Sequence, residues 1–197
     1  MNPGIHERAE QLSAILAESS RNDDTAVLRE RLQRFAVDVP TDVLVAVAEP
    51  YLDNPEVIAP LYERVVQASP DDARAIVTLA NAFWLQGRGP EVVGDLANRA
   101  IAADPANRAA WHLWALSEAD PRRRTRRWEQ VAERFPMDNL AVAAVADNAA
   151  AVAGAERDYE MLDLAIFTYE KLLERSTEPA QRDAVDGALR SLRGWRF

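Results

Sequence analysis

Three prolines spaced about one helical hairpin apart place the strongest constraint on the fold of this chain. Pro70, Pro105 and Pro136 each close a short stretch of helical periodicity, and a similar stretch opens two or three residues later. The intervals are 35 and 31 residues, close to the period of repeats built from two stacked helices. Because proline lacks an amide N–H and fixes its own φ, each proline punctuates a helix boundary. The spacing therefore predicts an array of repeated helical hairpins.

Apolar and small residues recur at fixed distances from these prolines. After each proline, two large apolar residues and an alanine follow in the same order. These residues are Ile76, Leu79 and Ala80, then Trp111, Trp114 and Ala115, then Val142, Val145 and Ala146. A small residue is required where two helices cross closely. We therefore expect Leu79, Ala80, Trp114 and Ala115 to form the core between helices.

This register resembles that of tetratricopeptide repeat (TPR) proteins. The resemblance covers 38–175, is strongest over 71–135, and rests on a run of rings, small residues and a closing proline. The residues are Trp111, Trp114, Ala115, Trp128, Val131 and Pro136. The resemblance implies an all-α fold, a right-handed α-solenoid of about five antiparallel helical hairpins with a C-terminal capping helix.

Eleven helices are predicted, because N-cap residues and prolines punctuate the chain and no stretch alternates as a strand does. They span residues 4–19, 23–37, 40–52, 55–68, 72–86, 90–103, 106–118, 121–135, 138–153, 158–175 and 179–193. We expect a single domain over 1–197. Within it, 1–37 is a degenerate N-terminal capping hairpin, 38–176 holds the repeats and 177–197 is the C-terminal capping helix.

The composition excludes several classes of function. A net charge of −9 argues against binding to nucleic acid or to an anionic membrane surface. The sequence has no cysteine, which removes disulfides, thiolate metal sites and cysteine nucleophiles. We recognise no signal peptide and no apolar run of bilayer length, so a cytoplasmic location is expected.

A candidate partner surface follows from the resemblance, because the first helix of each TPR hairpin lines a concave groove. An apolar groove with a few polar groups suits a peptide or helix of another protein. Trp84 is the expected anchor, since buried aromatic residues dominate the energy of interfaces. The predicted partner-binding residues are Val43, Val47, Arg74, Val77, Asn81, Trp84, His112, Leu116 and Asp147. Two alternatives stay open: Trp84 closes the core of its own helix, or the groove is filled by helix 4–19 or by a second copy of the chain.

A dense basic run stands out in this acidic sequence. It comprises Arg122, Arg123, Arg124, Arg126 and Arg127. One interpretation is a patch for an anion or an acidic partner, because arginine binds carboxylate and phosphate groups bidentately. The other is a solvated helix start whose charges are balanced by nearby acids, among them Glu118, Asp120 and Glu129.

No catalytic constellation emerges from the sequence, and an enzyme is not expected. The only histidines are His6 and His112, so a conventional metal site is not predicted, nor is a cofactor. A pair of His112 with Asp147 is the one acid–base arrangement considered. The favoured function is a non-catalytic protein–protein interaction module that binds a partner's peptide or helix in the groove. The alternative is a structural or assembly protein that self-associates through the groove or the solenoid ends.

Overall fold

A computed structural model describes residues 3–19 and 24–197, and eleven α-helices lie within them. The helices are α1 (Pro3–Ser19), α2 (Thr25–Val37), α3 (Thr41–Ala48), α4 (Pro55–Ala68), α5 (Ala73–Leu85), α6 (Pro90–Ala103), α7 (Arg108–Leu116), α8 (Pro121–Arg134), α9 (Asn139–Glu156), α10 (Tyr159–Arg175) and α11 (Pro179–Arg193). A short 3-10 helix, Glu49–Tyr51, follows α3. No strand occurs in these two ranges. The prediction of an all-α fold is confirmed.

Aspartate caps and first-position prolines define where the helices begin. An aspartate side chain accepts hydrogen bonds from the first backbone N–H groups of five helices, which satisfies donors that have no partner within the helix. These N-caps are Asp24, Asp72, Asp120, Asp138 and Asp158. Proline, which loses no hydrogen bond at this position, opens α4, α6, α8 and α11. These prolines are Pro55, Pro90, Pro121 and Pro179.

Two helix ends differ from the predicted ones by three residues or more. The helix predicted over 40–52 ends at Ala48 and continues as the 3-10 helix that contains Pro50, because proline cannot donate the next helical hydrogen bond. The helix predicted to end at residue 153 runs on to Glu156. It stops at Arg157, whose φ of 56° is left-handed.

The chain forms two compact units, Met1–Leu113 and Trp114–Phe197. In the first unit α1 packs on α2 and α3, α4 packs on α2, α3 and α5, and α5 packs on α6. In the second unit α8 packs on α9, α9 on α10 and α10 on α11. Each of these helices therefore packs on helices close to it in the chain. A single domain over 1–197 stays a prediction.

The C-terminal helix α11 closes the second unit as expected. Val185, Leu189 and Leu192 are buried, and Leu172 of α10 packs in the same cluster as Val185 and Leu189. Arg182 and Arg190 stay exposed. The apolar face of α11 is therefore the one predicted to dock.

Trp114 does not occupy the core position that its register predicted. It is half-buried, whereas Ala115 beside it is fully buried. The guanidinium carbon of Arg127 lies 4.6 Å from the centroid of the Trp114 ring. Trp114 is thus covered by a charged side chain, while Trp128 on α8 is the tryptophan that fills the core.

The residues after α11 fold back on the turn between α9 and α10. Trp195 packs against the cluster that contains Ala149, Ala153 and Leu162. The Phe197 ring makes an edge contact with Tyr159 at 5.1 Å, and the Tyr159 hydroxyl accepts from the Phe197 N–H at 2.9 Å. This C-terminal tail covers apolar surface at the end of the second unit.

Candidate functional site

Helix α5 divides into a buried face and an open face. Its buried residues are Ala73, Ala75, Ile76, Leu79, Ala80, Ala82 and Phe83. Arg74, Asn81 and Trp84 are exposed on the other side, and Val77 between them is half-buried. Their spacing of three, four and three residues places them on one helix face. Four of the nine predicted contact residues therefore form one surface on the first unit.

Trp84 lies on the surface at the end of this face. Its exposed fraction is 39%, whereas the neighbouring Phe83 is 7% exposed and closes the core at this end of α5. The indole N–H of Trp84 makes no hydrogen bond to any described residue, and the next residue, Leu85, is exposed as well. The alternative that Trp84 is a core residue is therefore wrong.

A cleft of about 420 Å³ lies beside the open face of α5. Its lining comes from α3, the 3-10 helix, α4 and the start of α5. The lining residues are Val45, Ala46, Glu49, Leu52, Tyr62, Asp72, Arg74, Ala75 and Thr78. Val45 and Leu52 are exposed, and Arg74 belongs both to this cleft and to the open face of α5. The cleft therefore extends the candidate surface from α5 towards α3.

Tyr62 is the buried polar residue of this cleft. Burial raises the pKa of its hydroxyl, and a hydrogen bond with Thr78 acts in the opposite direction. Tyr62 therefore stays neutral at physiological pH. Among the described residues, the charges that line the cleft come from Glu49, Asp72 and Arg74.

The predicted register of α3 needs a correction. Val47 is only 3% exposed, so its side chain belongs to the core and cannot contact a partner, while Val43 is half-buried. Asp42, Val45, Glu49 and Leu52 are exposed in this segment. Their spacing of three, four and three is itself a helical stripe, and the charged Asp42 and Glu49 mark it. That polar marking was the signal in the sequence for Val45 and Leu52.

The remaining predicted residues lie on the other helices. His112 is half-buried on α7 of the first unit, and Leu116 at the end of α7 is half-buried in the second. Asp147 on α9 is exposed and accepts a hydrogen bond from the Tyr169 hydroxyl. Burial, then the Asp147 hydrogen bond, raises the pKa of Tyr169. Asp147 is thus engaged by its own unit.

Two arginines of the basic run tie α8 to neighbouring segments. Arg122 donates to Glu156 at 2.7 Å and also bonds Asp158, which places its charge on the α9–α10 turn. Arg124 donates from Nε to the side-chain oxygen of Asn148 at 2.7 Å. These contacts give both arginines a structural role within the second unit.

Two further arginines of the run converge on one buried carboxylate. Arg123 lies 3.3 Å and Arg127 3.0 Å from the two oxygens of Glu118, whose side chain is almost fully buried. Arg127 also donates to the carbonyl oxygen of Trp114 at 2.7 Å. Arg126 is exposed and has no ion pair in the described part of the chain. The charge-balanced interpretation of this run is thus the one that its contacts support.

Neither a metal centre nor a membrane span emerges from the residues described. No three histidine, aspartate or glutamate side chains among them lie close enough together to hold a metal ion. Within 3–19 and 24–197, no helix has the length and apolar character that crossing a bilayer requires.

The fold resembles crystal structures of MamA, a TPR-like protein. One MamA structure matches with a TM-score of 0.59 and 17% sequence identity, over 80% of this chain and 91% of MamA. A second matches with a TM-score of 0.57 and 15% identity, over 88% and 98% of the two chains. A double mutant of MamA RS-1 gives a TM-score of 0.57 and 13% identity, over 87% and 97%. No protein-family model and no curated protein matches the chain. The likeness confirms the TPR-like, all-α solenoid fold.

Proposed function

We propose that this chain is a non-catalytic protein-interaction module that binds a peptide or helix of another protein on the first unit. The binding surface is the open face of α5 together with the cleft beside it. The observation that carries the proposal is the exposure of Trp84 in line with Val77, at the end of a helix whose opposite face is fully buried.

The chemistry of this surface suits such a partner. Trp84, Leu85, Val45 and Leu52 offer apolar area, and Arg74 offers a charged hydrogen-bond donor beside it. Amphipathic helices and extended peptides bind to grooves in which apolar area lies next to polar groups. Tryptophan and arginine are also the side chains most often found at the energetic centre of interfaces.

Affinity capture from a lysate of the native host tests the proposal. The bait variants are Trp84→Ala with Asn81→Arg, both on the open face of α5, and Met137→Ala as a control. Met137 is an exposed apolar residue of the other unit. A protein retained by wild type and by Met137→Ala, but lost by the folded α5 variant, supports the proposal. Retention by all three baits contradicts it.

Self-association is the second candidate function, because two copies of the chain that pair through this surface would bury the same exposed apolar residues. Sedimentation velocity over a range of concentrations separates the two functions. A monomer favours a different partner, and a dimer that Trp84→Ala dissociates favours assembly through the α5 face.

A further inference from the structure

The second unit has a cleft of its own, formed by α8, α9 and α10. Its volume is about 240 Å³. The lining residues are Glu129, Ala132, Glu133, Pro136, Val142, Val145, Leu164, Phe167, Thr168, Lys171 and Arg175. All of them belong to Trp114–Phe197. This cleft shares no residue with the surface proposed above.

The cleft has an apolar floor with an exposed ring at its side. Val142 and Val145 of α9 are buried, Leu164 is half-buried, and Phe167 is 52% exposed. Exposed aromatic area next to an apolar depression loses solvent-exposed surface when another apolar side chain enters. The floor therefore suits one large aliphatic or aromatic side chain.

The two edges of the cleft carry opposite charges, and the basic edge already has contacts of its own. Lys171 places its ammonium 4.0 Å from the centroid of the Phe167 ring. Arg175 donates from Nη1 to the carbonyl oxygen of Pro136 at 2.8 Å. The cations of α10 are thus held by the unit itself.

The acidic edge lacks such contacts. Glu129 and Glu133 lie one turn apart on α8, and neither has an ion pair or side-chain hydrogen bond within the ranges that the structure covers. Burial is the main cause that raises the pKa of Glu129, and the negative charge of Glu133 raises it further. The positive charge of Arg126 acts in the opposite direction through space. Two carboxylates of this kind are stabilised by a cation supplied from outside.

We propose that this cleft docks a segment of another protein that inserts a large apolar side chain beside Phe167 and sets a lysine or arginine against Glu129 and Glu133. The apolar side chain supplies most of the affinity. The cation selects the partner, since charge complementarity at an interface discriminates between partners more than it adds affinity.

A library of short random peptides displayed on phage tests the proposal with the full chain as target. Selection is for binding to wild type, with counter-selection against Phe167→Ala. We expect enriched peptides to share a large apolar residue with a lysine or arginine near it. Circular dichroism of Phe167→Ala, whose ring is half-exposed, checks that the variant stays folded.

The affinity of one enriched peptide and of its copy with glutamate in place of the basic residue then measures the charge preference. We expect the basic peptide to bind about tenfold more tightly. Glu129→Gln with Glu133→Gln removes that difference, while Glu174→Gln, an exposed carboxylate of α10 outside the cleft, leaves it unchanged.

Three outcomes overturn the proposal. The first is that no peptide is enriched over the Phe167→Ala target, and the second is that the enriched peptides carry no basic residue. The third is that Glu129→Gln with Glu133→Gln leaves the preference for the basic peptide unchanged. None of these outcomes concerns the α5 face, so the proposed function is tested separately.

Discussion

Trp84 and Trp128 place the same side chain in opposite environments. Trp84 ends the open face of α5, and Trp128 is 2% exposed within the core of the second unit. The free energy that a tryptophan contributes to folding follows the area it buries and the cavity its removal leaves. The two residues therefore separate a role in stability from a role at the surface.

Alanine substitution at Trp84, Trp114 and Trp128 should give three distinct losses of stability. We expect Trp128→Ala to lower the free energy of unfolding by about 3–5 kcal/mol, and Trp84→Ala by less than about 1 kcal/mol. Trp114→Ala should fall between them, because its ring is half-buried under Arg127. Urea denaturation followed by circular dichroism measures all three, and a loss at Trp84 as large as at Trp128 would contradict the surface assignment.

At the scale of elements, a glycine inside α9 receives the C-terminal tail. A Cβ added at Gly154 would lie 3.2 and 3.3 Å from two atoms of the Trp195 ring, whereas one added at Gly187 of α11 meets nothing within 4 Å. The two positions therefore differ in what surrounds them, although both lie inside helices.

Alanine at these two glycines should have different effects on stability. Gly187→Ala should raise the free energy of unfolding by about 0.5–1 kcal/mol, because alanine loses less conformational entropy in a helix. Gly154→Ala should gain less than this or lose stability, since its methyl group crowds Trp195. In a Trp195→Ala background the gain at Gly154 should return. Equal gains at both glycines in the wild-type background would show that the Trp195 side chain moves aside at no cost in stability.

The turn between α9 and α10 is also held by Arg122. Its hydrogen bond to Asp158 lowers the pKa of that carboxyl, with help from the backbone N–H of Met161. The stabilisation is present above the ordinary pKa of aspartate and is lost as the pH falls through the lowered value.

Removing this arginine should therefore move the titration of Asp158. We expect Arg122→Gln to raise the pKa of Asp158 towards its ordinary value, as followed by NMR of the side-chain carboxyl carbon against pH. Arg190→Gln, on the exposed side of α11, serves as the control. An unchanged titration in Arg122→Gln would mean that the backbone donors alone hold the carboxylate charged.

The helix boundaries were predictable where the sequence carries its own stop and start signals. Asp72 before α5 and Pro90 at the start of α6 act through local hydrogen bonding, which needs no knowledge of the fold. The end of α9 was not predictable in this way. A glycine often ends a helix, but Gly154 stays helical and makes room for Trp195, a residue distant in sequence.

The candidate site was predicted correctly on α5 and wrongly on α3. On α5 every buried position is apolar, so polar Arg74 and Asn81 identify the open face. On α3 the valines at 43, 45 and 47 are equivalent by hydropathy, so only the flanking Asp42 and Glu49 indicate the exposed side, and packing against α4 decides which valine is buried. Trp114 was misplaced for a similar reason, because Arg127 covers its ring from another helix.

At the scale of the whole molecule, the helices that pack on one another are close together in the sequence. In the second unit α9 packs on α8 and α10, and α10 on α9 and α11. Stability in such an array is close to a sum of local terms between neighbours. A cavity in one unit should therefore loosen its own helices first.

Hydrogen exchange checks this expectation. Trp128→Ala should speed amide exchange in α8 and α9, while amides in α4 and α5 keep most of their protection. Mass spectrometry of peptides covering both units gives the pattern. A uniform loss of protection over the whole chain would show that the two units unfold as one.

The division of α5 into two faces has a consequence for how this protein can change. The exposed residues of the open face lie outside the core, so positions 74, 81 and 84 can be substituted without repacking the helix against α4 and α6. Selection for a stable fold therefore does not constrain which residues stand at these positions. The same separation makes α5 a graft site, at which a new recognition sequence can be installed on an unaltered scaffold.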